Sequence, residues 1–317
     1  MIHRSDGQTV TGAAALAQAG LIAEPTGPPS QARFPDGAHF RIEIPSVEGP
    51  AVLRAVIAEA AARGVTVNRV SQGSGAMLLS SAELTEMAQV AADAGIEVSL
   101  FTGPREEWDI GRAASSADGQ VLAGRLRGTR QLRYAVDDIV RAAELGIRGF
   151  LIADPGLLKL VAGLQAAGQL PASIVWKVSA VLAPSNPLSF RTLEELGGST
   201  INVPSDLTLG QIAEMRAVSG LPIDLYVETP DAMGGVVRGH EAAELISAAA
   251  PMYVKFGLRN SRPLYPSGAH LVDEAVAIAR EKVHRAAVAL EWIARSGISL
   301  IQSQPGAKGL GVPEPPR

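Results

Sequence analysis

Cysteine is absent from the 317 residues. That excludes disulfides, thiolate zinc sites, all-cysteine iron–sulfur clusters and cysteine nucleophiles. Histidine is scarce, at 5 residues, and no HxH or HExxH spacing points to zinc. No apolar run approaches the roughly 18 residues that a membrane span requires. Excess charge is missing too: the net charge of −4 leaves no electrostatic footprint for nucleic acid. No Gly-x-Ser-x-Gly elbow supports a serine triad. The Gly-rich QGSGAM (72–77) lacks the Lys-Ser/Thr of a phosphate loop and the spacing of a dinucleotide fingerprint. The polar residues and Asp6 ahead of GAAALAQAGLIAEP (12–25) spoil the basic leader of a signal peptide, so a short helix and a cytoplasmic protein are expected.

What is present is repetition. With 47% hydrophobic and 19% charged residues the chain is globular, and eight short β-branched runs alternate with helix-competent segments. The runs are HFRIEIP (39–45), VTVNRVSQ (65–72), IEVSLFTG (96–103), IRGFLIAD (147–154), SIVWKVSA (173–180), TINVPS (200–205), IDLYVET (223–229) and MYVKFGLR (252–259). Gly marks several helix ends before the next strand. Eight strands, each followed by a helix, close a parallel (β/α)8 TIM barrel. The expected division is an N-terminal extension with a short helix (1–37), a catalytic barrel (38–300) and a disordered tail (301–317) ending in a Pro-rich stretch. The helix around 11–21 is a candidate plug for the N-terminal mouth of the barrel.

The alternation assigns the faces. Phe40, Ile42 and Ile44 oppose Arg41 and Glu43, and Ile174, Trp176 and Val178 oppose Val175, Lys177 and Ser179. Ile223, Leu225 and Val227 oppose Asp224, Tyr226 and Glu228, and Met252, Val254 and Phe256 oppose Tyr253 and Lys255. Strands covered by helices need apolar outer faces, so the charged set looks inward. Buried charges must pair or bind something. Candidates near the strand C-termini, where barrels place their chemistry, are Glu43, Asp154, Lys177, Asn202, Glu228 and Lys255. Arg259 lies further out, and at most one of Arg69 and Gln72, on opposite faces, belongs with them.

Lys177 stands out because a mid-strand ammonium is desolvated and easily deprotonated, which suits a Schiff-base nucleophile or a general base. A salt bridge to Glu43, Asp154 or Glu228 is the structural alternative. Glu43, Glu228 and Asp154 are candidate acid/base groups, or oxygen ligands for magnesium or manganese; otherwise no cofactor is expected. Lys255, Asn202, Arg259, Arg105, Tyr226 and Gln72 are candidate substrate contacts. Arg105 belongs to an Arg-rich insertion, roughly 103–131, long enough to be a lid. Gly234, Gly235, Gly257 and Gly268 with Arg238, Arg259 and Arg262 favour an anionic substrate group at the loops after strands seven and eight.

The runs FRIEIPSVEGP (40–50), RVSQGSGAMLLS (69–80), NVPSDLTLGQI (202–212), YVETPDAMGG (226–235) and YVKFGLRN (253–260) resemble bacterial barrel proteins of peptidase family U32, the collagenase-like peptidases. The resemblance spans most of 39–296 and implies a (β/α) barrel and a hydrolase. Better understood branches of that family hold an iron–sulfur centre on a cysteine cluster and act in RNA or quinone hydroxylation. This chain has no such cluster, so that chemistry is not carried over, nor is any catalytic residue. The expectation is a hydrolase acting on a small polar, anionic molecule or a peptide-like substrate through a Lys/Glu-lined pocket, as a monomer or homo-oligomer. The alternatives are a lyase or aldolase using Lys177, a magnesium- or manganese-dependent isomerase or hydrolase, and a non-catalytic barrel subunit.

Overall fold

The computed structural model describes residues 11–18, 28–105, 113–116, 119 and 122–316. Its core is a closed barrel of eight parallel strands in chain order. They are β1 (Phe40–Pro45), β2 (Arg69–Gln72), β3 (Glu97–Phe101), β4 (Gly149–Ile152), β5 (Val175–Val178), β6 (Thr200–Asn202), β7 (Ile223–Glu228) and β8 (Met252–Phe256). The helices are α1 (Gly12–Gln18), α2 (Pro50–Arg63), α3 (Ser81–Ala94), α4 (Gly128–Glu144), α5 (Pro155–Ala166), α6 (Pro187–Glu195), α7 (Leu209–Val218), α8 (Ala242–Ala249) and α9 (Val272–Ser296). After α1, each helix follows one strand, as the period of the sequence requires.

Local signals account for the helix boundaries. Ser80 and Glu83 form a capping box that starts α3, and Thr208 and Gln211 do the same for α7. Gly64 ends α2 at φ 66°, a left-handed stop that a side chain would strain. The outward residues Ile42, Ile44, Val98, Phe150, Trp176, Val178, Leu225 and Val254 are all buried in one continuous hydrophobic cluster with the helices. That burial leaves the opposite, polar faces to fill the barrel.

One expectation about the ends is corrected. Gly12, Ala14, Ala17 and Gln18 of α1 are exposed, and the residues expected to extend this helix to 21 lie outside the described ones. The C-terminal stretch, expected to be disordered, runs as extended chain across the N-terminal mouth. His39 N–H and Phe40 N–H donate to Ile301 O at 2.7 and 3.3 Å, and Glu314 N–H donates to Gly146 O at 2.8 Å. Proline and glycine prevent this segment from forming helix, but they do not prevent an extended strap whose backbone groups are paired.

Candidate active site

Inside the barrel one carboxylate serves several cations. Glu43 (β1) accepts from Arg69 Nε (β2) at 2.7 Å on Oε2, and from Ser71 Oγ at 2.7 Å on Oε1. Lys177 Nζ (β5) donates to the same Oε1, and Lys255 Nζ (β8) lies 3.6 Å from it. Arg69 Nη2 also reaches Asp224 Oδ2 (β7) at 2.6 Å, and Arg69 Nη1 reaches Glu97 Oε1 (β3) at 3.4 Å. Lys255 donates to Asn202 Oδ1 and stands 4.0 Å from the Tyr226 ring centroid. The two lysines occupy the same side of one carboxylate, with Tyr226 beside them and partly exposed at the mouth.

Size explains how they meet. The inward positions Ser71, Ser99 and Gly149 are adjacent in register on β2, β3 and β4. Small groups there leave room for the long side chains of Lys177, Tyr226 and Lys255 to cross the barrel. The Ser99 hydroxyl is buried with no hydrogen-bond partner among the described residues.

The inward strand faces bury four cations, Arg41, Arg69, Lys177 and Lys255, against three carboxylates, Glu43, Glu97 and Asp224. A surplus positive charge in a dry interior favours losing a proton from a lysine. Burial, with Arg69 next, lowers the Lys177 ammonium to about 7 against the pull of Glu43. Burial also lowers Lys255. For Glu43, burial alone would raise the carboxyl, but Arg69, Lys177 and Lys255 together hold it well below the usual range. Burial raises the Tyr226 phenol, so it keeps its proton.

These shifts have a consequence for stability. The unfolded chain keeps Lys177 protonated up to the ordinary lysine range of about 10.4, whereas the folded chain releases that proton near 7. Between these values the unfolded state binds more protons, so stability rises with pH. The expected slope for this group alone is about 1.4 kcal/mol per pH unit around pH 8 to 9. Urea unfolding at pH 7, 8 and 9 checks it, and the slope should fall by that amount in Lys177→Met.

Several candidates stand elsewhere. A bulge between Tyr226 and Glu228 shifts the register so that Glu228 pairs with Phe256. Glu228 thereby turns away from Glu43, accepts from Arg259 N–H at 3.0 Å and faces Arg285 at 3.6 Å on α9. Asp154 is the N-cap of α5; its oxygens take Leu157 N–H at 2.9 Å and Leu126 N–H at 3.1 Å. Gln72 closes the turn after β2, with its amide paired to both backbone groups of Gly75. Arg259 is exposed at the rim, 3.4 Å from Asp231. Arg105 is buried at the mouth with its guanidinium 3.8 Å over the Phe101 ring. Polar side chains at strand ends find unpaired loop amides first, which is why parity overreached there. The carboxylates required for a magnesium or manganese site, Glu43, Asp154 and Glu228, therefore stand apart. Among the described residues no three metal-ligating groups converge.

Of the insertion after β3, expected to be a lid, residues 106–112, 117, 118, 120 and 121 lie outside the described ones. Its return limb crosses the ends of β4 and β5: Arg125 Nη1 donates to Ala153 O at 2.6 Å, and a β-carbon on Gly124 would meet Ala153 and Val181. Of Arg69 and Gln72 it is Arg69 that belongs to the centre, and Asp224, Ser71 and Glu97 are its members outside the candidate set. The alternation marks Asp224 as inward, but it is the second residue of β7 and lies deeper than the strand C-termini where barrels place their chemistry.

No protein-family model matches the chain, and no curated protein matches it. Among solved structures it is similar to a U32 peptidase, at 19% identity over 63% of this chain and 73% of the other, with a TM-score of 0.41. A structure described as native KDPGal shares 12% identity over 83% of this chain and 99% of its own, with a TM-score of 0.44. A 2,3-dimethylmalate lyase of the PEP mutase/isocitrate lyase superfamily shares 14% identity over 82% and 84%, with a TM-score of 0.42. At these identities the likeness is to the barrel, and the reaction has to be argued from the side chains.

Proposed function

We propose that the protein is a lysine-dependent barrel enzyme, a lyase or aldolase, in which Lys177 forms a Schiff base with the carbonyl of a small anionic substrate. The observation that carries this reading is the single Glu43 carboxylate shared by Lys177, Arg69 and Ser71, with Lys255 3.6 Å away. A cation that must share its counter-charge with two others is readily deprotonated, and a neutral amine is the nucleophile the reaction needs.

The chemistry balances with the residues present. The neutral Lys177 amine attacks the carbonyl carbon; a C–N bond forms and the carbonyl π pair moves to oxygen. The resulting hydroxyl departs as water on taking a proton, and the nitrogen retains one proton as an iminium. Tyr226 is a suitable donor because it stays protonated and its hydroxyl has no protein partner among the described hydrogen bonds. The Lys255 ammonium holds the substrate's anionic group, and Asn202 fixes that lysine. The iminium then accepts the electron pair of the Cα–Cβ bond as it breaks to an enamine. The Cβ hydroxyl gives its proton to the Tyr226 phenolate left by the dehydration and becomes a carbonyl. Return of that proton to the enamine carbon and hydrolysis by water release the second product and restore the Lys177 amine.

The hydrolase expectation came from the family resemblance, with Glu43 and Glu228 as its acid/base pair; Glu228 faces α9, so that pair does not support it. The lysine pair is what remains at the centre. Incubation with pyruvate, 2-oxobutyrate or 2-oxoglutarate and borohydride, followed by peptide mass spectrometry, tests the proposal. A reduced adduct on Lys177, absent from exposed Lys159, is expected. Adducts that favour neither lysine, or none with any of the acids, would remove it.

A further inference from the structure

The C-terminal strap reaches the charge network from below. Arg41 Nε donates to Ser303 Oγ at 3.0 Å, and its terminal nitrogens donate to the carbonyls of Lys308 at 2.8 Å and Gly309 at 3.3 Å. Gly311 N–H donates to Glu97 Oε2 at 3.0 Å, and the Tyr253 hydroxyl donates to the same oxygen at 3.4 Å. The other oxygen of Glu97 faces Arg69 at 3.4 Å, and Arg69 shares Glu43 with Lys177.

This seat is built to fit. Gly306 N–H donates to Gly95 O at 2.7 Å. A β-carbon at Gly95, Gly146 or Gly311 would lie 2.7, 2.8 or 2.9 Å from a backbone atom across the contact, closer than packed atoms approach. Three close backbone approaches along one track are costly to maintain for a loose end of chain.

We propose that Glu97, held from below by Gly311 of the C-terminal strap, is a positioning residue for Lys177. Glu97 fixes Arg69, and Arg69 fixes the carboxylate on which the Lys177 amine rests. The charged groups facing that amine come from four strands: Glu43 on β1, Arg69 on β2, Asp224 on β7 and Lys255 on β8. Glu97 acts on all of this through Arg69, whose charge it partly neutralises. The inference rests on Lys177 as the reactive amine, but its test needs no carbonyl turnover.

The full-length protein is labelled with formaldehyde and cyanoborohydride over a range of pH, and Lys177 is followed by peptide mass spectrometry against exposed Lys159. Glu97→Gln removes negative charge beside Arg69, leaving Arg69 to bear harder on the ammonium; the Lys177 midpoint should fall by about one pH unit. Gly311→Ala pushes the strap off Arg148 O and admits water to the barrel floor. Relief of desolvation should move the midpoint upward. Glu314→Gln loosens only the strap's far ion pair with Arg148 and should leave the midpoint where it is. A merely structural contact would change the melting temperature in the first two variants without moving either midpoint. Unchanged midpoints, or an upward shift in Glu97→Gln, overturn the proposal; if Glu97→Gln fails to fold, Gly311→Ala decides alone. Failure of the Schiff-base reading looks different: Lys177 would still titrate as described, with no oxo-acid adduct.

Discussion

Glu43→Gln is expected to lower the unfolding free energy by about 3–5 kcal/mol, the range for breaking a buried ion pair from one side. The replacement has nearly the same shape, so packing is preserved and only the charge is lost. Arg69, Lys177 and Lys255 would then share Asp224 and Glu97 as their remaining counter-charges, with no solvent to compensate. The new amide group would also present donors where Arg69 and Lys177 already donate, leaving unmatched polar atoms in the barrel. Urea unfolding at neutral pH measures the loss. Glu228→Gln is the matched comparison, because that carboxylate faces half-exposed Arg285, and about 1 kcal/mol is expected there. A small loss at Glu43 with a large one at Glu228 would reverse the assignment of the charged centre.

Lys177→Met should behave in the opposite way: little change in stability, with complete loss of adduct formation. Methionine matches the length and flexibility of the lysine stem. Removing the ammonium relieves the surplus of cations, and Glu43 keeps Arg69 and Ser71 as partners. Exchanging a buried ion for an apolar group of similar volume is often neutral or stabilising, so the unfolding free energy at pH 7 should stay within about 1 kcal/mol of the parent or exceed it. A loss of several kcal/mol would identify Lys177 as a structural salt-bridge partner. Retained trapping in the variant would move the reactive amine to Lys255. Together the two substitutions separate a group that holds the barrel together from one kept there at some cost to stability.

The barrel was legible because its signal is periodic. Alternation along β1, β5, β7 and β8 placed Arg41, Glu43, Lys177, Asp224, Tyr226, Tyr253 and Lys255 on one side, and the closed sheet brings them together. Parity fails where the backbone breaks step. Glu228 follows a bulge, which adds a residue to one strand and turns the next side chain to the other face. Gln72 is the last residue of β2 and Asp154 lies two residues past β4, directly before α5, where a turn amide and a helix N-terminus claim them. The strap was illegible for a different reason. Its prolines and glycines rule out helix but leave an extended path open, and its seat is made by Gly95, Gly146 and Glu97, which are remote in the chain. Composition reports what a segment cannot form alone; it is silent about a groove built by distant residues.

Formaldehyde labelling of Lys177 across the range from about pH 5 to 11, with exposed Lys159 as internal reference, tests the centre most directly. It reports on the amine itself, whatever the substrate is. A Lys177 midpoint at about 7, abolished by Lys177→Met, is the predicted result. A midpoint in the ordinary lysine range of about 10, or no labelling of Lys177 at any pH, would contradict a deprotonated amine above Glu43 as the working group of this barrel.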